Sequence, residues 1–168
     1  GGIVAYILVS GDPGYDPNFQ KGLIAATSNQ GGRIRWDNGS SITTGATGTA
    51  IGTGLSNTNT IITSQGATST NYAAGLARAY TGGGYTDWYL PSKDELAKLY
   101  AMKLLGFGGF SNSVYWSSSE YDLNNAWGQV FNGGTPVGDG KDATSYVRAV
   151  RAFQTDNPSI ISIGEAYQ

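Results

Sequence analysis

Small and turn-forming residues interrupt this chain so often that long helices and long uninterrupted strands have little room in it. Of 168 residues, 26 are Gly, 16 Ser, 16 Thr and 11 Asn. Such a chain favours turns and short strands. It is still not a disordered one, because four Trp, eleven Tyr, five Phe and 39% hydrophobic residues suffice for the core of one ordinary domain. Only 13% of the residues are charged and the net charge is -2, so no basic field is present to attract nucleic acid or an anionic membrane. Cys and His are absent. That removes thiol nucleophiles, disulfides, imidazole bases and the usual zinc ligands together, and no enzyme activity, cofactor or metal is expected.

The run Ile3 to Val9, bounded by Gly2 and by Gly11-Asp12-Pro13-Gly14, predicts a central strand buried on both faces. It is too short to cross a bilayer and has no basic flank, which reads as a mature or excised segment rather than a signal peptide. Gly22 to Ala26 and Arg33 to Trp36 predict two more strands, the second closed by Asp37-Asn38-Gly39. Ser40 to Thr70 reads as a long ordered loop with one helical turn around Asn57 to Ile62, anchored by spaced Ile residues; a flexible linker is the alternative. Tyr72, Ala73, Leu76, Ala77 and Tyr80 stand at helical spacing and Gly82-Gly83-Gly84 stops them. A second helix starts at Pro91-Ser92-Lys93-Asp94-Glu95, where Ser92 and Glu95 form a capping box. Glu95 is therefore structural first. The apolar face of this helix is Leu96, Leu99, Tyr100 and Met102 to Leu104.

Three β-like runs follow, Tyr115 to Tyr121, Ala126 to Phe131 and Tyr146 to Phe153. Alternation in the middle run sets Trp127, Gln129 and Phe131 on one side and Gly128 and Val130 on the other. Strands, two helices, then strands make an α+β fold with a mainly antiparallel sheet and long ordered loops.

These residues carry a resemblance. Gly2-Ile3-Val4 with Tyr6, the stretch Gly83 to Leu96, Tyr115-Trp116-Ser117-Ser118-Ser119-Glu120-Tyr121, Ala126-Trp127 and Val147-Arg148-Ala149-Val150-Arg151 resemble the C-terminal domain family of the Legionella collagen-like adhesin. The match covers residues 1–153 as one domain. The resemblance implies a C-type-lectin-like fold and an extracellular or cell-surface role, because relatives occur in adhesins, in secreted repeat proteins and in the diversified proteins of retroelements. It also implies where a ligand, glycan or protein, would touch: the turn-rich loops around Asp122, Asn124, Asn125, Asn132, Thr135, Asp139, Asp142 and Thr144, and the outward positions Gly128 and Val130. For any one of these residues, a solvated hairpin tip is the plainer reading. The Glu-Pro-Asn and Gln-Pro-Asp triplets of calcium-dependent sugar-binding lectins are absent, and Gly11 to Asp16 and Asp139 to Asp142 lack the oxygen density of a calcium loop. The formylglycine-generating enzymes share that superfamily fold, but their catalytic cysteines have no counterpart here.

Large periodic residues are core before they are binding surface, so Trp88, Trp116 and Trp127 are structural expectations. Arg148 and Arg151 lie on opposite faces of the last run. Pairing of one of them with Glu120 or Asp94 as a latch is favoured over an anionic-glycan site. Ser117 to Ser119 lack the usual activating base; a Ser-Lys arrangement is the formal exception.

Residues 154–168 form an extension with a short strand, Ser159 to Ile163, and Gly164 to Gln168 read as the lead-in to a further repeat. Ile3, Val4, Ile160, Ile161 and Ile163 are the expected assembly residues. Either Ile3 to Val9 or Ile160 to Ile163 would complete a neighbour's sheet in a tandem array or fibre, or the tail folds back on its own domain. The three readings that result are a binding module, a purely structural filament subunit, and a diversified receptor-binding protein of a phage or retroelement.

Overall fold

The computed structural model describes residues 1–66, 70–156 and 162–167. Among these the order is β1 (Gly2–Ile7), β2 (Gln20–Ala25), β3 (Ile34–Arg35), α1 (Gly54–Gln65), α2 (Ala73–Ala79), α3 (Lys93–Leu104), β4 (Val114–Glu120), β5 (Asn125–Val130), β6 (Pro136–Gly140), β7 (Thr144–Ser145), β8 (Val150–Thr155) and β9 (Ala166–Tyr167). The chain is α+β with three α-helices and mostly antiparallel sheets. One sheet runs β8-β2-β1-β9, a second is the pair β3-β7, and the third runs β4-β5-β6.

β1 lies between β2 and β9, an inner strand as its apolar run predicts, but it ends at Ile7, only Gly2, Val4 and Ala5 of it are buried, and Val9 is exposed. The pairing Gly2 with Tyr167 and Ile3 with Ala166 brings the tail back onto the first strand. Val4 also accepts from Gly164 N–H and donates to the Glu165 carbonyl. Ile3 and Val4 therefore sit in a strand whose two edges are occupied within the chain, so their expected role as an assembly edge is corrected. The tail strand is Ala166–Tyr167 rather than Ser159 to Ile163. Ile163 packs against the core cluster that contains Ala5 and Leu99; Ile160 and Ile161 lie outside the described residues.

Helix α1 is twelve residues long where the sequence predicts one turn. Its Ser, Thr and Asn are poor helix formers, because their side chains compete for backbone groups. Here tertiary partners engage those side chains instead. Asn57 Nδ2 donates to the Gly48 carbonyl at 2.6 Å, Thr58 Oγ1 bridges Gly54 and Leu90, and Ile61 is fully buried. Gly66 ends the helix in the left-handed region, φ 87°. Helix α3 begins as expected: Ser92 Oγ accepts from Glu95 N–H, and Glu95 accepts from Ser92 N–H at 2.8 Å. Glu95 also accepts from Gly52 N–H, so the cap doubles as a tie to the segment before α1. Of the expected apolar face, Leu96, Leu99 and Met102 are buried while Leu104 is exposed.

The run from Tyr146 to Phe153 is not one strand. Tyr146 bonds to Val114 and Trp116 of β4, whereas Ala149 bonds to Ala26 beyond β2, so the chain changes sheets between them. Arg148 sits at this crossing, 1% exposed. It donates from all three guanidinium nitrogens, to Asn29 Oδ1, to the carbonyls of Ala26 and Gly108, and at 3.4 Å to Gly109. The Phe110 ring covers its face at 4.1 Å. Burial lowers its pKa from the ordinary guanidinium value. The expected pairing with Glu120 or Asp94 is corrected, because Arg148 meets neutral acceptors and Arg151 meets Asp87 at 2.7 Å.

Arg148→Met leaves several buried carbonyls without donors and is expected to cost roughly 3 kcal/mol or more. Arg148→Lys should rescue little, since an ammonium cannot reproduce the fork. Chemical denaturation of both variants checks this; a lysine variant as stable as the parent would refute the role of the fork.

Candidate binding surface

Strand register sorts the expected ligand residues into groups. β5 pairs with β6 from Asn125 opposite Gly140 to Gln129 opposite Pro136. The turn Tyr121 to Asn124 and the residues Asp139 to Asp142 therefore share one end of the sheet. Asn132 and Thr135 lie at the other, roughly 20 Å away at about 3.3 Å per residue. Thr144 belongs to neither: it is in β7 opposite Arg35, and its carbonyl accepts from Arg33. The stretch expected as one loop from Asn132 to Ser145 contains strand β6.

Side-chain placement corrects the face assignment on β5. Gly128 is buried rather than outward. A Cβ there would lie 3.0 Å from the Tyr115 carbonyl and 3.1 Å from Val114, so a larger residue would have to push β4 back by a few tenths of an ångström. Val130 is half-buried. Trp127, expected in the core, is also only half-buried. Its ring meets Tyr121 edge-on with centroids 4.7 Å apart, and Lys93 Nζ stands 4.2 Å above it. Trp88 and Trp116 are fully buried as expected, with indole N–H groups bonded to the carbonyls of Gly82 and Ile34.

The end that carries Tyr121 is rigid. Asp122 accepts from the N–H groups of Asn124 and Asn125, both at 2.8 Å, and from Asn125 Nδ2 at both oxygens. The Asn125 side chain and the Asn124 amide hold its carboxyl below the ordinary value. Behind the turn, Lys141 donates its backbone N–H to Asn124 and its ammonium to the Leu123 carbonyl. That ammonium also meets Glu120 at 2.6 Å and the Ile42 carbonyl at 2.8 Å. Glu120 in turn accepts from Thr44 and Gly45 N–H, and Trp36 lies 5.0 Å from the Lys141 charge. The partner of Glu120 is thus Lys141 rather than an arginine. Burial works to raise the Glu120 pKa, but Lys141 and the two amides outweigh it and hold the group below the ordinary glutamate value.

On this fixed base Tyr121 is 56% exposed and Leu123 50%. The outward polar groups beside them are Asn124 and Asp142, both exposed; Asp139 is turned onto its neighbour Gly140 N–H. Sequence reasoning includes Leu123 only as part of the expected loop, and misses Tyr121 and Lys93 as parts of this surface. Tyr121 and Leu123 carry a usable signal, since they flank Asp122 in a turn rich in small polar residues. Lys93 carries none, because only the packing of α3 against β5 brings its ammonium over Trp127.

The hydroxyls of Ser117 to Ser119 are all engaged. Ser117 Oγ donates to the Trp127 carbonyl, Ser119 Oγ to that of Gly48, and Ser118 Oγ accepts from Asn57. All three residues are buried. A separate apolar cleft of about 500 Å³ lies among Leu23, Ile51, Leu55, Tyr89 and Phe153; none of the expected ligand residues lines it. Among the described residues no group of three or more metal-ligating side chains is gathered.

The molecule is a mostly antiparallel α+β module in which a buried ionic cluster fixes an exposed aromatic and polar turn. It belongs to the Lcl C-terminal domain family, whose model matches residues 25–151, and is on that ground an adhesin-related module. No curated protein matches the chain.

Because Glu120 is held below its ordinary value, the unfolded chain takes up its proton more readily than the folded one. The stability it confers is complete above the unfolded value and is lost as pH falls through the lower folded value. Glu120→Gln is expected to flatten this part of the acid limb, and Lys141→Met to destabilise the fold by about 3–5 kcal/mol by stranding a buried carboxylate. Denaturation midpoints across the acid range check both; an unchanged acid limb in Glu120→Gln would count against the assignment.

Proposed function

We propose that the chain is a non-catalytic binding module of an extracellular or cell-surface protein, with a C-type-lectin-like fold, that presents the β4–β5 turn to a glycan or protein. The observation that carries this reading is Tyr121, exposed and edge-on to Trp127 on a turn whose backbone is already ordered by Asp122, Asn125 and Lys141. A preordered turn loses little conformational entropy on binding. An aromatic ring with hydrogen-bonding neighbours offers both apolar contact and specificity. The non-catalytic part of the reading rests on the absence of Cys and His from the sequence and on the engagement of Ser117 to Ser119. An outside location is supported by the adhesin family; among the described residues, no helix is long and apolar enough to cross a membrane. The pairing of β9 with β1, which brings the two ends of the described chain together, and the α+β class with mostly antiparallel sheets support the lectin-like part of the reading.

Glycan-array binding of the parent chain, of Tyr121→Ala and of Asn124→Ala tests the site. Loss of binding in Tyr121→Ala with an unchanged denaturation midpoint is expected. Binding that persists in both variants would move the site elsewhere, and a chain that binds neither glycans nor a presented protein library would fail the reading. The filament reading requires self-association through an edge other than β1. Sedimentation over a wide concentration range checks it, and a chain that remains monomeric throughout sinks it.

A further inference from the structure

Two Asn-Gly steps occur in the sequence, Asn38-Gly39 and Asn132-Gly133, and the fold treats them differently. In such a step the glycine amide nitrogen can attack the preceding Asn Cγ, since glycine offers no side chain to obstruct it. The attack requires that the amide lose its proton and that the Asn side chain and backbone rotate into line.

At Asn38 both requirements are opposed. Gly39 N–H donates to the Asp37 carboxylate at 3.1 Å, and a negative charge at that distance disfavours loss of the amide proton. Asp37 is itself fully buried, and Arg35 and Ser41 hold its other contacts. The Asn38 backbone N–H is tied to Gln65 Oε1 at 3.1 Å, which restricts rotation.

At Asn132, among the described residues, no carboxylate meets the glycine amide and no hydrogen bond ties the Asn132 N–H or side chain; the turn around it is closed by Gly134 N–H on the Val130 carbonyl at 2.7 Å. The residue is exposed, in the turn between β5 and β6. Among the described residues Gly133 N–H reaches only the Val130 carbonyl, at 3.4 Å, a neutral acceptor at the outer limit of a hydrogen bond. A Cβ built at Gly133 would meet nothing within 4 Å, and the same is true at Gly39, so the two sites differ in hydrogen bonding and charge rather than in open space.

We propose that Asn132 is a site of spontaneous deamidation in the folded protein and that Asn38 is protected from it. The Gly133 nitrogen gives up its proton to solvent base and forms a bond to Asn132 Cγ. The bond from Cγ to Nδ2 breaks, and ammonia leaves with a proton from water. Water then opens the resulting succinimide at either carbonyl, which yields aspartate or isoaspartate without any change of oxidation state. The product adds a negative charge to the turn and, as isoaspartate, one backbone carbon. Its place is the far end of the β4-β5-β6 sheet from Tyr121, so the modification is separate from the proposed ligand surface.

The experiment is incubation of the intact folded chain at mildly alkaline pH, followed by peptide mapping with fragmentation that separates aspartate from isoaspartate. Conversion at Asn132 is expected to outpace that at Asn38 by roughly tenfold or more, the factor set by one charge-assisted hydrogen bond. In urea the two rates should converge, because the Asp37 and Gln65 contacts are lost. Asp37→Ala should accelerate Asn38 alone if it remains folded, and Gly133→Ala should slow Asn132. Equal rates in the folded chain, a faster Asn38, or a difference that persists in urea would each overturn the proposal.

Discussion

A fully buried ammonium cannot be left without partners, and the placement of Lys141 organises much of this molecule. Its charge is met by Glu120 at the end of β4, and its remaining donors go to the carbonyls of Ile42 and Leu123. Glu120 reaches on to the amides of Thr44 and Gly45. One ion pair thus joins the long segment before α1, the last residue of β4, the turn after it and the residue after β6. Desolvation offsets much of the energy of such a pair, so its contribution lies in selecting one arrangement over others. In this chain the arrangement selected is the geometry of an exposed turn.

Hydroxyl groups complete that arrangement. With few charges available, the chain uses Ser117, Ser118 and Ser119 to fasten β4 to β5, α1 and the Gly48 segment. The Ser119 hydroxyl also accepts from Lys93 N–H at the start of α3. Arg148 plays the corresponding part at the crossing between sheets, with neutral carbonyls and Asn29 in place of a carboxylate. The fold and the proposed surface meet at Lys93: the cap that starts α3 also sets its ammonium above Trp127.

Features governed by neighbours along the chain are legible in the sequence. The capping box at Ser92 and Glu95, the central apolar strand β1 and the turns at glycine follow from spacings of a few residues. Helix α1 is legible only as a single turn, because its local propensity is poor and its stabilising partners, Gly48, Leu90 and Ser118, lie 9 to 61 positions away. The arginine latch fails for a similar reason. Charge complementarity allows many pairings, and only packing chooses Lys141 for Glu120 and Asp87 for Arg151. Size and alternation place Trp127 in the core, but β5 alternates between a face closed by β4 packing at Gly128 and one left partly open beside α3.

The amino-acid sequence alone determined the α+β class, the family, the start of α3 and the lack of Cys and His, because each depends on composition or on residues close together. Tertiary structure decided which end of the β4-β5-β6 sheet carries the exposed aromatic turn, which acid meets which base, and that the tail closes the edge of β1. Those outcomes depend on strand register and on burial of charge, and both are settled only when distant segments compete for the same partners.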